Sequence, residues 1–248
     1  MIYILLPAYN EYPNIKKIFS EINKEKFLIK KKIAVILVND GSNDNTKEYK
    51  KYKNKNFKFF YLEHAKNLGL NIGLKTGLEF ISKKGNDNDI VVTLDCDGTH
   101  PISVISKLVK KIKNFDVVVA SRFTKKSKVI GLGIFRNILS LIGKIIFKHF
   151  IPIQNINDYT CNFRAYKFQT LKKIIGIENI FNKKGFGIAA ELLIKIHIFY
   201  PKTKFTEIPF YLFYNKKIGI SKMNIISTIF KTIILILVNN KLKKTFKP

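Results

Sequence analysis

Five short apolar runs, at 2–6, 33–38, 57–62, 90–94 and 116–121, are rich in Ile, Val and Phe and have the length of buried strands. Between them apolar positions recur at helical spacing: Ile15, Ile18, Phe19 and Ile22 after Pro13, then Leu74, Leu78 and Ile81 after the turn-rich 67–73, then Ile105, Leu108, Val109 and Ile112 after Pro101. Strand and helix alternate, which predicts an α/β fold with a mainly parallel sheet flanked by helices. Ligands of such sheets bind beyond the carboxyl ends of the strands. The polar segments 7–11, 39–46 and 95–100 each follow an apolar strand directly, where such a pocket is built.

Two later segments break the pattern. Residues 129–151 are almost wholly apolar, yet Arg136, Ser140, Lys144 and Lys148 recur every fourth position and form one polar stripe along a predicted amphipathic helix. Residues 223–238 repeat the idea with Asn224, Thr228 and Lys231, and a basic tail follows at Lys241, Lys243, Lys244 and Lys247. At about 16 residues this second segment falls short of the roughly 20 needed to cross a bilayer. Both fit helices lying in a membrane interface, with ordinary core packing as the alternative. The expected organisation is a catalytic domain over 1–222 that includes the helix 129–151, and a C-terminal amphipathic helix and basic tail over 223–248.

Composition changes this picture in two places. Lys and Arg total 45 against 17 Asp and Glu, a net charge of +28, a balance that points to nucleic acid, anionic lipid or a phosphorylated substrate. Only Arg122, Arg136 and Arg164 are arginine, however, and the abundant lysine, Asn and Ile fit a coding bias and a solvated lysine surface equally well. With no basic recognition motif, nucleic acid is not an expected partner. The three arginines carry more information, because a guanidinium offers phosphate a planar two-pronged donor that lysine lacks. Cys96 and Cys161 form no CxxC, so free thiols are expected. The opening Met-Ile-Tyr-Ile-Leu-Leu-Pro has no basic n-region, so no secretory leader is expected and the cytoplasm is the expected compartment.

Candidate chemistry centres on Asp95-Cys96-Asp97, at the mouth of the fourth apolar run. The two-residue period aims both carboxylates to one side, where they can share a hard divalent cation such as Mg²⁺ or Mn²⁺, with Thr99 as a further oxygen. An acidic pair alone also suits a cap or a turn. Upstream, Asp40 in Val38-Asn39-Asp40-Gly41-Ser42 is placed to accept hydrogen bonds from a ribose or base, and an Asx turn is the alternative. His64, His100, His149 and His197 lack metal spacing, and Gly131-Leu132-Gly133 lacks the third glycine of a dinucleotide fingerprint.

Taken together, LPAYNE (6–11), VNDGSNDNT (38–46), NLGLNIGLKTGL (67–78), DCDGTHP (95–101) and ASRF (120–123) stand in the order found in inverting family-2 glycosyltransferases of the GT-A fold, which the chain resembles from Leu5 to about Asn224. Within that family it is most similar to the polyprenyl-phosphate sugar synthases. The resemblance implies that Pro7, Tyr9, Glu11, Asp40 and Asp95 bind the nucleotide sugar, of GDP-mannose or UDP-glucose type, and that Asp97 holds the cation on its diphosphate. It implies that Arg122, Arg136 and Ser140, with Lys216, hold the phosphate of a polyprenyl phosphate at the cytoplasmic face of a membrane; a membrane-anchoring subunit is left open. DYTCNFRAYK (158–167) departs from the subgroup's D-x-T-S-G-F-R-A at Cys161 and Asn162. In EIPF…KIGISK (207–222), Lys216 stands in place of arginine. A saccharide hydroxyl as acceptor stays open and would need a base, with Asp158 or Glu191 as suppliers. A non-catalytic basic binding module is the third alternative.

Overall fold

The computed structural model of the 248-residue chain describes residues 1–175 and 187–216. Strands β1 (Ile2–Ala8), β2 (Ile33–Asn39), β3 (Lys58–Glu63), β4 (Ile90–Thr93) and β5 (Val117–Ser121) fall where the apolar runs predict them. So do helices α1 (Tyr12–Lys24), α3 (Leu70–Ser82) and α4 (Val104–Lys111), with the short α2 (Lys26–Ile29) added after α1. The chain continues through β6 (Lys128–Ile130), α5 (Ile134–Phe150), β7 (Arg164–Lys167), α6 (Phe168–Ile175), α7 (Ile188–Phe199), β8 (Phe205–Pro209) and β9 (Tyr211–Phe213).

Seven strands form one sheet in the order β3-β2-β1-β4-β7-β5-β8, and β6 pairs with β9 in a small second sheet. All pairings are parallel except those of β7, which runs antiparallel between β4 and β5. The pleat separates two cores. Ile2, Ile4, Leu6, Val35 and Leu37 pack with Ile15, Ile18 and Phe19 of α1 and Ile105 and Leu108 of α4. Tyr3, Leu5, Ile36 and Val38 pack with Leu74, Leu78 and Ile81 of α3 and with Leu192 and Leu193 of α7. Burial on both faces is why these strands read as continuous apolar runs and not as alternating ones.

The predicted helix over 129–151 is corrected at its start. Val129 and Ile130 pair in register with Leu212 and Phe213 of β9, Gly131 turns the chain at φ +82°, and α5 begins only at Ile134. Among its residues only Phe147 is buried. The expected helix 223–238 and its basic tail lie outside the described residues.

The carboxyl ends of β1, β2 and β4 share one edge of the sheet, and their loops are tied together. Asp40 N–H donates to the Ala8 carbonyl at 2.8 Å, Asn10 N–H to Ser42 Oγ at 2.9 Å, and Tyr12 N–H to Asp44 Oδ2 at 3.0 Å. Gly41 makes this possible: its φ is +66°, and a Cβ there would meet the Lys66 carbonyl carbon at 2.3 Å. Gly41→Ala is therefore expected to lower stability by about 1–3 kcal/mol or more, since strain and backbone collision act together. Urea denaturation checks it.

Candidate active site

The acidic pair is built at the end of β4. Cys96 is 3% exposed and belongs to the core, while the carboxylates of Asp95 and Asp97 flank it on partly exposed backbone. Three neighbours fix the turn. His100 Nδ1 accepts from the Asp95 N–H at 3.1 Å, which assigns its ring proton to Nε2. Thr99 donates to Asp97 Oδ1 through its hydroxyl at 2.7 Å and its N–H at 3.2 Å. Asn162 Nδ2 donates to Asp95 Oδ1 at 3.1 Å, bringing β7's approach segment against the pair.

Thr99 is 3% exposed and its hydroxyl proton is directed at Asp97, so it orients that carboxylate and keeps its oxygen lone pairs beside the pair. Among the described residues no group of three or more His, Cys, Asp or Glu side chains could hold an ion. Two hard carboxylates fit a Mg²⁺ or Mn²⁺ ion that completes its shell with substrate phosphate and water. Burial, followed by the charges of Glu11, Asp97 and Asp95, pushes the Cys96 thiol well above its ordinary pKa. Glu11, which accepts from Asn14 Nδ2 at 2.7 Å, thus shares one electrostatic field with the acidic pair. Pro7 is buried at the end of β1, and Tyr9 is partly exposed just beyond it.

Asp40 is placed differently from a free nucleoside ligand. It is 4% exposed, and it accepts from Leu68 N–H at 2.9 Å, Gly69 N–H at 2.8 Å and His64 Nδ1 at 2.7 Å. His64 Nε2 in turn meets Thr76 Oγ1 of α3 at 3.0 Å. The carboxylate therefore anchors the loop entering α3, and any contact with a nucleoside is made at its remaining lone pairs.

A second cluster is organised around Arg122, just past β5. Its Nε and Nη2 donate to Asp158 Oδ2 and Oδ1 at 2.8 and 2.7 Å, and Nη2 donates again to Thr160 Oγ1 at 2.6 Å. Asp158 is wholly buried and also accepts from the N–H groups of Arg122 at 3.0 Å and Cys161 at 3.0 Å. Burial would raise the Asp158 pKa, but the Arg122 charge and hydrogen bonds reverse it and leave the carboxyl below its usual range. Conversely, burial works against the Arg122 charge, Asp158 more than offsets it, and Asp95 adds to the upward shift. The Arg122 cluster thus lies within electrostatic reach of Asp95. Glu207 supports it from β8, accepting from the N–H groups of Asn157 at 2.7 Å and Asp158 at 2.6 Å.

Arg122 thus has one edge fixed, and among the described residues no hydrogen bond engages its Nη1. Arg136 donates to the Tyr214 hydroxyl and lies 5.7 Å from that ring's centroid. It sits one helical turn before Ser140, so both share a face of α5; Lys216 ends the turn that Tyr214 begins. Phe147 lies on the same side of α5 and stacks on Tyr159 at 5.0 Å, so the polar stripe faces the protein body. The opposite side exposes Ile134 (81%), Phe135 (64%), Ile138 (51%) and Ile145 (59%).

Both proposed bases are otherwise engaged. Asp158 is held by Arg122, and Glu191 is 2% exposed and accepts from Lys195 Nζ at 2.6 Å. Arg164 is wholly buried, donating to the carbonyls of Ala189 and Tyr159, and holds β7 in place. Both thiols are free and buried, and burial followed by the Asp158 charge pushes Cys161 up to about 12. Thr160 and Asn162 lie in the quoted stretch 158–167 but their partners do not show in it, and Tyr214 carries no sign at all; their roles depend on contacts across 38 to 78 positions.

A mainly parallel sheet with an acidic pair beyond β4 and arginines beyond β5 places the chain among α/β proteins of GT-A type. The chain belongs to glycosyl transferase family 2, whose profile matches residues 3–175. It is 29% identical over 209 residues to a dolichol-phosphate mannosyltransferase of Pyrococcus furiosus, covering 84% of this chain and 55% of that protein, so it spans little more than half of that relative's length. It is 23% identical over 221 residues to an undecaprenyl-phosphate mannosyltransferase of Micrococcus luteus, covering 89% and 86%. In fold it matches glucosyl-3-phosphoglycerate synthase of Mycobacterium tuberculosis, solved with Mn²⁺, UDP and phosphoglyceric acid, at TM-score 0.67 and 16% identity over 97% of this chain and 78% of that one. A mannosyltransferase of Pyrobaculum calidifontis, solved with GDP-Man and Mn²⁺, matches at TM-score 0.60 and 16% identity over 100% and 64%.

Proposed function

We propose that this chain transfers a sugar, with inversion, from a nucleotide sugar to a polyprenyl phosphate at a membrane surface. The observation that carries the reading is Arg122: one edge of its guanidinium is locked to Asp158 and Thr160, and the Nη1 edge is left for an anion. An arginine fixed in this way loses little freedom on binding, so its remaining donors meet phosphate already oriented. Arg136 and Ser140 supply further donors from α5, and Lys216 a further charge.

The chemistry then needs little more than placement. An acceptor phosphate is anionic near neutral pH, so its oxygen attacks the anomeric carbon without a protein base, forming one C–O bond as the bond to the nucleoside diphosphate breaks. A single displacement inverts the centre. Asp95 and Asp97 are the residues that would hold a Mg²⁺ or Mn²⁺ ion, whose charge would stabilise the leaving diphosphate. Pro7, Tyr9, Glu11 and Asp40 line the nucleoside end. Mn²⁺ together with UDP in one fold neighbour and with GDP-Man in another supports this donor class.

The membrane placement rests on α5, whose polar side faces the protein and whose apolar side faces outward. An outward stripe of this kind, beside a basic surface, suits the interface of an anionic bilayer. Among the described residues no helix is long and apolar enough to cross one. Transfer to a saccharide hydroxyl finds less support, since both available carboxylates are buried in ion pairs.

The test is to offer the purified protein a labelled sugar nucleotide with polyprenyl phosphate or with polyprenol in vesicles, with and without EDTA. Label should enter the lipid only with the phosphate and only without chelator. Transfer to polyprenol would remove the assigned role of Arg122.

A further inference from the structure

Beyond Arg122, Arg136, Ser140 and Lys216, we propose that Lys144 is a further, directly contacting cation of the same phosphate site. This rests on the acceptor reading above and extends it to a residue that reading does not use.

The argument starts at Phe123, the residue after Arg122. The Arg122 guanidinium carbon lies 5.4 Å from the centroid of its ring, and Lys144 Nζ lies 5.1 Å from the same centroid. One ring thus meets both an amine from α5 and the fixed guanidinium of the β5 loop. Lys144 follows Ser140 by one turn and Arg136 by two, so it continues the stripe that faces the protein. It is half-buried, although apolar residues on the far side of the same helix are exposed.

Its partners separate it from Lys148, the next member of the stripe. Lys148 Nζ donates to Asn157 Oδ1 at 3.0 Å, on the loop that Glu207 holds, so it has a structural position. Lys144 has no hydrogen bond or carboxylate among the described residues, and the aromatic ring alone fixes it. Asp158 and Glu207 do not compensate it: Asp158 is bound by Arg122, and Glu207 by the N–H groups of Asn157 and Asp158. Arg136 and Lys144 therefore bring to one face of α5 two positive charges that no carboxylate pairs among the described residues. Like charges so arranged repel, and a dianionic phosphate relieves that repulsion. An ammonium makes this contact as a point charge, complementing the planar guanidinium donors.

The experiment measures binding of geranyl phosphate and of inorganic phosphate by calorimetry, and separate KM values for sugar nucleotide and lipid phosphate. Lys144→Ala and Lys144→Gln should weaken both phosphate probes and raise the acceptor KM by about tenfold, the scale of one charge-assisted hydrogen bond. Lys144→Arg should restore most of this, and the donor KM should not move. Lys113→Ala, an exposed charge just before β5 at the opposite edge of the sheet, should match the unmodified protein. If Lys144→Ala binds phosphate and acceptor normally while the parent transfers sugar to lipid phosphate, the inference fails and the acceptor reading stands. An equal loss in Lys113→Ala also overturns it, because the effect is then one of net charge. If loss is confined to geranyl phosphate, Lys144 touches lipid and not phosphate, and the proposal fails. If the parent neither binds these probes nor transfers sugar to a prenyl phosphate, the acceptor reading fails and the inference with it.

Discussion

Asp97→Asn is expected to lower sugar transfer by about 10²–10³-fold, the scale seen when one electrostatic contact to a developing charge is removed. The substitution keeps the shape, and an amide oxygen can still accept from Thr99, so the turn at 97–99 should persist. What it removes is the negative charge that pairs with Asp95 in holding a divalent cation. The measurement is initial rate at saturating donor, with a thermal melt alongside. Unchanged melting with lost activity supports the assignment. Full activity with Asn at this position removes the pair from the mechanism.

Asp158→Ala is expected to act chiefly on the fold. Removing the buried carboxylate strips Arg122 of the acceptor for both its Nε and Nη2 and leaves three backbone N–H groups, of Arg122, Thr160 and Cys161, without their side-chain partner. Breaking a buried ion pair from one side costs about 3–5 kcal/mol, so urea denaturation should detect a large shift in midpoint. The pH dependence follows from the depressed pKa of this carboxyl. Its stabilisation is complete above the unfolded-state value of about 3.9 and is lost as pH falls through the lower folded value. The variant should therefore lose less further stability on acidification than the parent. Equal acid sensitivity in both proteins would mean that Asp158 is not the group responsible.

Much of the framework could be read from the chain. Parallel strands buried on both faces are continuous apolar runs, so β1, β2, β4 and β5 announce themselves, the half-buried edge strand β3 shows by its Phe-Phe-Tyr-Leu run, and the polar segments after β1, β2 and β4 mark the site edge. β7 does not, because Arg-Ala-Tyr-Lys is a poor apolar run. Its place between β4 and β5 is fixed by pairing with distant strands and by the buried Arg164 clamp. α7 is apolar nearly all round, which gives no helical stripe to find. The start of α5 is not legible, because Val129 and Ile130 carry the same apolar signal whether they join a helix or pair with β9.

The site divides in the same way. Asp95 and Asp97 lie at a strand mouth and were legible by position, whereas the function of Thr99 depends on where its hydroxyl points. Arg122 was legible as a rare arginine, but its partner Asp158 lies 36 positions away and was considered as a base. A local pattern cannot show that a carboxylate is already committed to a cation. Asp40 was expected at the nucleoside, and its partners Leu68 and Gly69 emerge only when the loops after β2 and β3 meet.

The most direct measurement offers the purified protein a labelled sugar nucleotide, a divalent cation, and equal amounts of polyprenyl phosphate and a soluble oligosaccharide in one reaction. Label should partition into the organic phase as a sugar phosphodiester with inverted anomeric configuration. Label that stays in the aqueous phase on the oligosaccharide, or a lipid product with retained configuration, would contradict the account.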